Sequence, residues 1–354
     1  MSGHGGGRLF GQGGRISSGL QVHPRKIRIL VNRAVMRALS ILLVLGCALV
    51  WTGCRKGQNE KGNQSPALPT LANSGVDPVL VGAGDIASCD DLAGAQATAR
   101  LIDNIPGTVF AAGDLAYPDG SDEQFADCYG PTWGRFKERT RPAPGNHEYH
   151  RRGASGYARY FGAAAGDPSK AYYSYDLGAW HIVVLNSECV NVGGCNPASP
   201  QGRWLEEDLA QHQAACTLAY FHKPLFSSGA RHGNDPEMRP LWEILYGWHA
   251  DIVINGHDHD YERFAPQNPN GNADPDHGIR EFVVGSGGKN THRIFNAPKP
   301  NSEARNADTF GVLKLTLHPR SYDWEFIPQA GKTFKDSGNG VCHGNQVSTV
   351  KGTP

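Results

Sequence analysis

Five times in this chain a short apolar run stops abruptly at a polar loop: PVLVGAGD, GTVFAAGD, RPAPGNH, CTLAYFH and DIVINGHDH. Short apolar runs closed by polar or glycine residues read as buried β-strands. Between them lie LAGAQATARLIDNI, SPQGRWLEEDLAQHQ and PEMRPLWEILYGWH, whose apolar residues recur at three-and-four spacing and predict helices. Strands alternating with helices argue for an α/β fold, a sheet covered by helices. YYSYDLGAWHIVVLNS predicts a hairpin turning at Leu177-Gly178-Ala179, and EFVVGSGG, GVLKLTLHP and YDWEFIP add late strands that suggest a second sheet. Loops at the carboxyl ends of successive strands converge on one edge, where open α/β sheets bind ligands.

Those loops present Asp85, then Asp114 and Tyr117, then Asn146 and His147, then His222, then His257 and His259. One such residue after a strand is an ordinary turn. Five loops rich in oxygen and nitrogen donors point instead to a pair of metal ions, which take carboxylate, phenolate, amide and imidazole ligands together. Within GHDHDYER, residues two apart share a face of an extended segment. His257 and His259 are then the ligand candidates, while Asp258, Asp260 and Glu262 back them or face solvent, with Arg263 as an ion-pair partner. EFVVGSGGKN lacks the Walker pattern, since Val283 stands where Gly is needed and Asn290 where Ser or Thr is needed. HExxH and GxSxG are absent, which disfavours a zincin protease or an α/β-hydrolase.

In this order, GD, GDLAY, GNHE, a strand-ending histidine and GHDH resemble the calcineurin-like metallophosphoesterases, and more closely the purple acid phosphatase-like branch of exported bacterial type. The motifs span residues 85 to 259. Many members of the superfamily carry a histidine two residues after the first aspartate; here Ala87 stands there, and Tyr117 supplies a ligand instead. The resemblance implies a metallophosphoesterase-type β-sandwich flanked by helices (αββα), a single catalytic domain over residues 77–330. It implies two metal ions, Fe(III) with a divalent Fe, Zn or Mn. Asp85, Asp114, Tyr117 and His259 would hold the first, with Asp114 bridging to the second, which Asn146, His222 and His257 complete. His147, and with it His232, would stand beside the substrate as catalytic residues. The implied reaction is hydrolysis of phosphate monoesters by a metal-bound hydroxide. A phosphodiesterase on the same site and a non-catalytic binding protein of the same fold are the alternatives.

Charge and cysteines bound the setting. Residues 1–53 hold seven Lys/Arg and no Asp or Glu, so the other 27 basic residues face 34 acidic ones. That balance gives no general attraction for nucleic acid. The apolar run at 38–51 is short for a membrane span. Read from Met36, residues 36–53 resemble a lipoprotein signal, with 1–35 a non-functional upstream extension and a lipid anchor at Cys54 as the sole membrane link. Residues 54–76 read as a flexible tether and 331–354 as a loose tail, pinned only if Cys342 is bonded. The chain is expected to be exported. Six further cysteines then suggest disulfides, with Cys189 and Cys195 the easiest pair and Cys89 with Cys128 tying together the first two site loops. Oligomeric state is not legible.

Overall fold

The computed structural model describes residues 76–292 and 295–344. The signal segment, the Cys54 anchor, the upstream extension and residues 54–75 lie outside the described residues. Within them, fifteen strands form two large sheets and one small ribbon. In chain order they are β1 (Val79–Ala83), β2 (Ala87–Ser88), β3 (Thr108–Ala112), β4 (Ala116–Tyr117) and β5 (Thr140–Ala143). There follow β6 (Tyr173–Leu177), β7 (Trp180–Val184), β8 (Cys216–Tyr220), β9 (Ile252–Asn255) and β10 (Tyr261–Phe264). The last five are β11 (Arg280–Val284), β12 (Ser302–Asn306), β13 (Gly311–His318), β14 (Ser321–Pro328) and β15 (Asp336–Val341).

The first sheet has the order β15-β14-β13-β1-β3-β5, with β1, β3 and β5 parallel; the second has β12-β10-β11-β9-β8-β7-β6, with β7, β8, β9 and β11 parallel. The predicted hairpin is β6–β7, with Leu177 paired to Trp180 across Gly178-Ala179. Rings interdigitate between the sheets: Phe110 with Tyr220 at 5.8 Å, Phe282 with Trp324 at 5.9 Å and Tyr261 with Phe326 at 4.4 Å. Each such buried ring contributes about 1.5–3 kcal/mol.

The second sheet is apolar on both faces, as strands covered on both sides must be. Ile182 and Val184 face the other sheet, whereas Val183 and Leu185 pack with Leu205, Leu209 and Trp242 of helices Pro200–Gln211 and Arg239–Gly247. Ser199 caps the first of these helices by accepting from Gly202 N–H, with Pro200 opening it. Helix Ala93–Ile102 buries Ala95, Ala99 and Ile102 in the same buried cluster as the first sheet. Sheets face to face with helices outside give the expected αββα layering.

Disulfides join Cys89 to Cys128, Cys189 to Cys195 and Cys216 to Cys342. Such bonds persist in oxidising compartments. Among the described residues, no helix is long and apolar enough to cross a membrane.

Two expectations need correction. The tail from 331 is not loose through residue 344: β15 pairs along β14, and Cys342 is bonded to β8. Gly338 and Gly340 sit opposite Trp324 and Tyr322, whose rings occupy the space a side chain would need. Nor is GHDHDYER extended before Tyr261. His257 has φ 73°, and the amides of Asp258 and Asp260 donate to the carbonyls two residues back. Asp258, Asp260 and Glu262 are fully buried rather than solvated. Glu262 accepts from Ser228, and Arg263 pairs with Asp336 and Glu303, not with its own neighbours.

At the outer edge of the second sheet, His181 lies between two carboxylates, 2.9 Å from Asp176 and 2.8 Å from Asp208, with His212 stacked on it at 4.4 Å. Burial pulls His181 down, but the bonds to Asp208 and Asp176 outweigh it and raise its pKa. A raised histidine stabilises the fold fully below its unfolded pKa, and that contribution is lost as pH rises through the folded value. Asp208→Asn is therefore expected to cost about 1–3 kcal/mol in weakly acid buffer and less at alkaline pH. Denaturant midpoints across pH measure this; a penalty that grows with pH contradicts it.

Candidate metal centre

Asp85, Asp114 and His257, each following a glycine at the end of a parallel strand, adopt left-handed backbone with φ of 60°, 53° and 73°. Non-glycine residues take that conformation at a cost, and such strain clusters at functional sites. The turn swings each side chain off its strand toward a shared point. Two glycines allow the approach: a Cβ on Gly145 would overlap the Asp114 carboxylate, and one on Gly256 would crowd that of Asp85.

Six of the seven residues expected as ligands meet at this point. The Tyr117 hydroxyl is 2.7 Å from Asp85, 3.2 Å from Asp114 and 3.2 Å from His259 Nε2. His259 Nε2 is 3.1 Å from Asp85, and His222 Nε2 is 3.1 Å from both Asp114 and His257 Nδ1. Asn146 follows β5 on the same edge, and its Oδ1 is buried without a hydrogen-bond partner.

The outer partners of the histidines decide what these contacts mean. His222 Nδ1 donates to the Ala112 carbonyl at 2.9 Å, and His259 Nδ1 donates to Asn290 Oδ1. In the neutral rings both Nε2 atoms are then lone-pair acceptors, aimed at carboxylates that are acceptors too. Acceptors facing acceptors at 3.1 Å need protons or cations between them.

Electrostatics agree. Burial disfavours the charge on Asp85 and Asp114, yet the adjoining histidines hold both below the usual range. Burial alone would lower His222, but Asp114 and Asp85 lift it to about 10. His257 is driven down to about 3 by burial and by His222. Burial, Asp114 and Asp85 push the Tyr117 phenol well above its ordinary value. A phenolate forms here only against a strongly charged ion. The hard oxygens, imidazole nitrogens and orphaned amide oxygen fit a pair of such ions.

His147 borders the cluster. Its amide donates to Asp114 at 2.8 Å, its Nδ1 donates to the Pro118 carbonyl at 2.6 Å, and Nε2 lies 3.8 Å from Asp114. Its ring packs on Tyr117 at 4.4 Å. The exposed His232 packs at a tilt against His257, with centroids 4.0 Å apart, so it too is brought to the cluster.

Sequence reasoning missed three residues. Glu148 is fully buried and accepts amide protons from Asp114 and Leu115 at 2.9 Å and from Gly145 at 2.8 Å, fastening GDLAY to GNHE. Its place inside GNHE was the available signal. Asn290 and His292 follow β11 in a loop with no periodicity to mark them.

Two facing sheets with oxygen and imidazole donors gathered at their carboxyl edge are the architecture of a metallophosphoesterase. Residues 79–261 match the family model of the calcineurin-like phosphoesterases, and the chain belongs to that family. It is similar to purple acid phosphatase 21 of Arabidopsis thaliana, 31% identical over 269 residues, 67% of this chain and 58% of that protein. It is also similar to purple acid phosphatase 23 of the same plant, 32% identical over 202 residues, 46% of this chain and 43% of that one. The match thus spans about half the length of these relatives. Purple acid phosphatase PPD1 from yellow lupin (Lupinus luteus) seeds shares the fold, with TM-score 0.57 and 20% identity over 74% of this chain and 53% of that chain.

Proposed function

We propose that the protein is a dinuclear-metal phosphoesterase acting on phosphate monoesters, in the manner of an acid phosphatase. The observation that carries this reading is the convergence of Asp85, Asp114, Tyr117, His222, His257 and His259, with imidazole and carboxylate acceptors facing one another at 3.1 Å, beside the unpartnered buried amide oxygen of Asn146. Asp85, Tyr117 and His259 would hold Fe(III), Asn146, His222 and His257 a divalent Fe, Zn or Mn, and Asp114 would touch both. When bound, such ions offset the charge of phosphoryl oxygens and acidify water.

The chain's own residues do the rest. Asn290 and the Ala112 carbonyl orient His259 and His222. The Pro118 carbonyl fixes the His147 tautomer, so that in the imidazolium form the proton on Nε2 faces the site and can pass to the departing ester oxygen. Metal analysis with a panel of mono- and diesters tests the reading. Two metal equivalents with monoester turnover support it, preference for diesters replaces the substrate, and metal-loaded protein inert on every ester leaves a binding protein.

Tyr117 gives the proposal an optical signature. A phenolate on Fe(III) absorbs in the visible, so iron-loaded protein is expected to be coloured and Tyr117→Phe to lose the band while keeping part of its metal. Absorption spectra check this. A colourless, active protein with two divalent ions would retain the phosphoesterase and discard the iron.

A further inference from the structure

Two histidines outside the proposed ligand set pack against two within it, one tilted and one flat. His232 covers His257, and His292 covers His259 with centroids 4.0 Å and planes 12° apart. The two outer rings are 5.7 Å from each other. Asp258, fully buried between the two ligand histidines in the chain, fixes this outer layer. It accepts from the Ser227 hydroxyl at 2.6 Å and from the amides of Gly233 and His232 at 2.9 and 3.2 Å, and it lies 3.8 Å from His292 Nδ1.

His292 has one nitrogen engaged and one idle. Its Nδ1 accepts the backbone N–H of His259 at 3.2 Å. The neutral ring therefore carries its proton on Nε2. The side chain is 6% exposed, and Nε2 has no hydrogen-bond partner among the described residues. Buried donors without an acceptor are rare in folded proteins, and each calls for an absent partner. Beside a centre built for phosphoryl oxygens, that partner is an acceptor oxygen.

We propose that His292 is a substrate-binding residue of this site, its Nε2–H donating to an oxygen of the bound phosphate ester while His232 flanks it. The assignment rests on the phosphoesterase reading above. It separates the two nitrogens: Nδ1 serves His259, and Nε2 serves the substrate.

Two variants exploit the separation. An asparagine amide reaches about as far as Nδ1, whereas a glutamine amide reaches the position of Nε2. With p-nitrophenyl phosphate as substrate, His292→Asn is expected to lower kcat/KM about tenfold to a hundredfold, the loss of one hydrogen bond to a charged group. It should weaken inhibition by inorganic phosphate about tenfold and leave metal content at the wild-type value. His292→Gln is expected to recover most of both losses. Unchanged kcat/KM and phosphate affinity in His292→Asn overturns the proposal. Loss of metal from that variant also overturns it, since His292 would then act only behind His259. So does a third metal equivalent that His292→Asn removes, because His232, Asp258 and His292 bring ligand atoms within 4.8 Å of one another. Wild-type protein without phosphatase activity would fail the broader reading instead; calorimetric titration of the metal-loaded protein with inorganic phosphate then still tests His292.

Discussion

Asp114→Asn is expected to abolish turnover and to strip metal, whereas His147→Ala is expected to keep both ions and lose about 10²–10⁴ in kcat, as removal of an acid–base group does. The contrast follows from position. One Asp114 oxygen stands 3.1 Å from His222 Nε2 and 3.2 Å from the Tyr117 hydroxyl, between the two halves of the cluster. The other accepts the His147 amide at 2.8 Å. An amide in its place keeps the shape but halves the acceptors, removes the charge and points a donor at one neighbour. His147 makes its side-chain hydrogen bond outward, to Pro118, so its loss leaves the donors standing. Metal analysis beside steady-state kinetics reads both variants. Full activity in either, or loss of metal from His147→Ala, refutes the assignment.

Glu148→Gln is expected to cost about 2–6 kcal/mol of stability, the Leu115 and Ala116 amide donors at Oε1 left unpaired at about 1–3 kcal/mol each, and to reduce turnover with it. Burial and the Asp114 charge push this carboxyl up, while the amides of Gly145 and Leu115 pull the other way. It accepts three close amide bonds with two oxygens, which a glutamine, one oxygen and one NH₂, cannot reproduce. Because those amides belong to the strand-end turns carrying Asp114 and Asn146, the fault reaches the proposed metal ligands without any of them being changed. Urea unfolding and metal content report the two effects separately. A variant matching wild type in both shows Glu148 to be a spectator.

Much of this was legible in the sequence. The strand-then-polar-loop recurrence marked β1, β3, β5, β8 and β9 and the residues at their ends, because burial on both faces forces continuous apolar runs and site residues must follow them. Helix spacing was equally plain. What escaped lacked period or bulk. β15 is written in glycine because its partners are aromatic. The acids of GHDHDYER were open between backing the histidines and facing solvent because alternation assumes a straight strand, and the backbone at His257 is left-handed. Asn290 and His292 act from a loop reached only after the sheets have come together.

The seven donors divide between the sheets. Oxygen donors follow β1, β3 and β5 of one; imidazoles follow β8 and β9 of the other. The contacts that close this seam join residues 172, 142 and 110 positions apart in the chain. Topologies rich in such distant pairings fold slowly, since a long loop must close before any contact rewards it. No stretch shorter than 85–259 holds all seven donors. A segment carrying only one sheet would own carboxylates without imidazoles, or imidazoles without carboxylates. On the proposed reading, turnover would therefore report completed tertiary assembly, and half of the molecule would be chemically nothing.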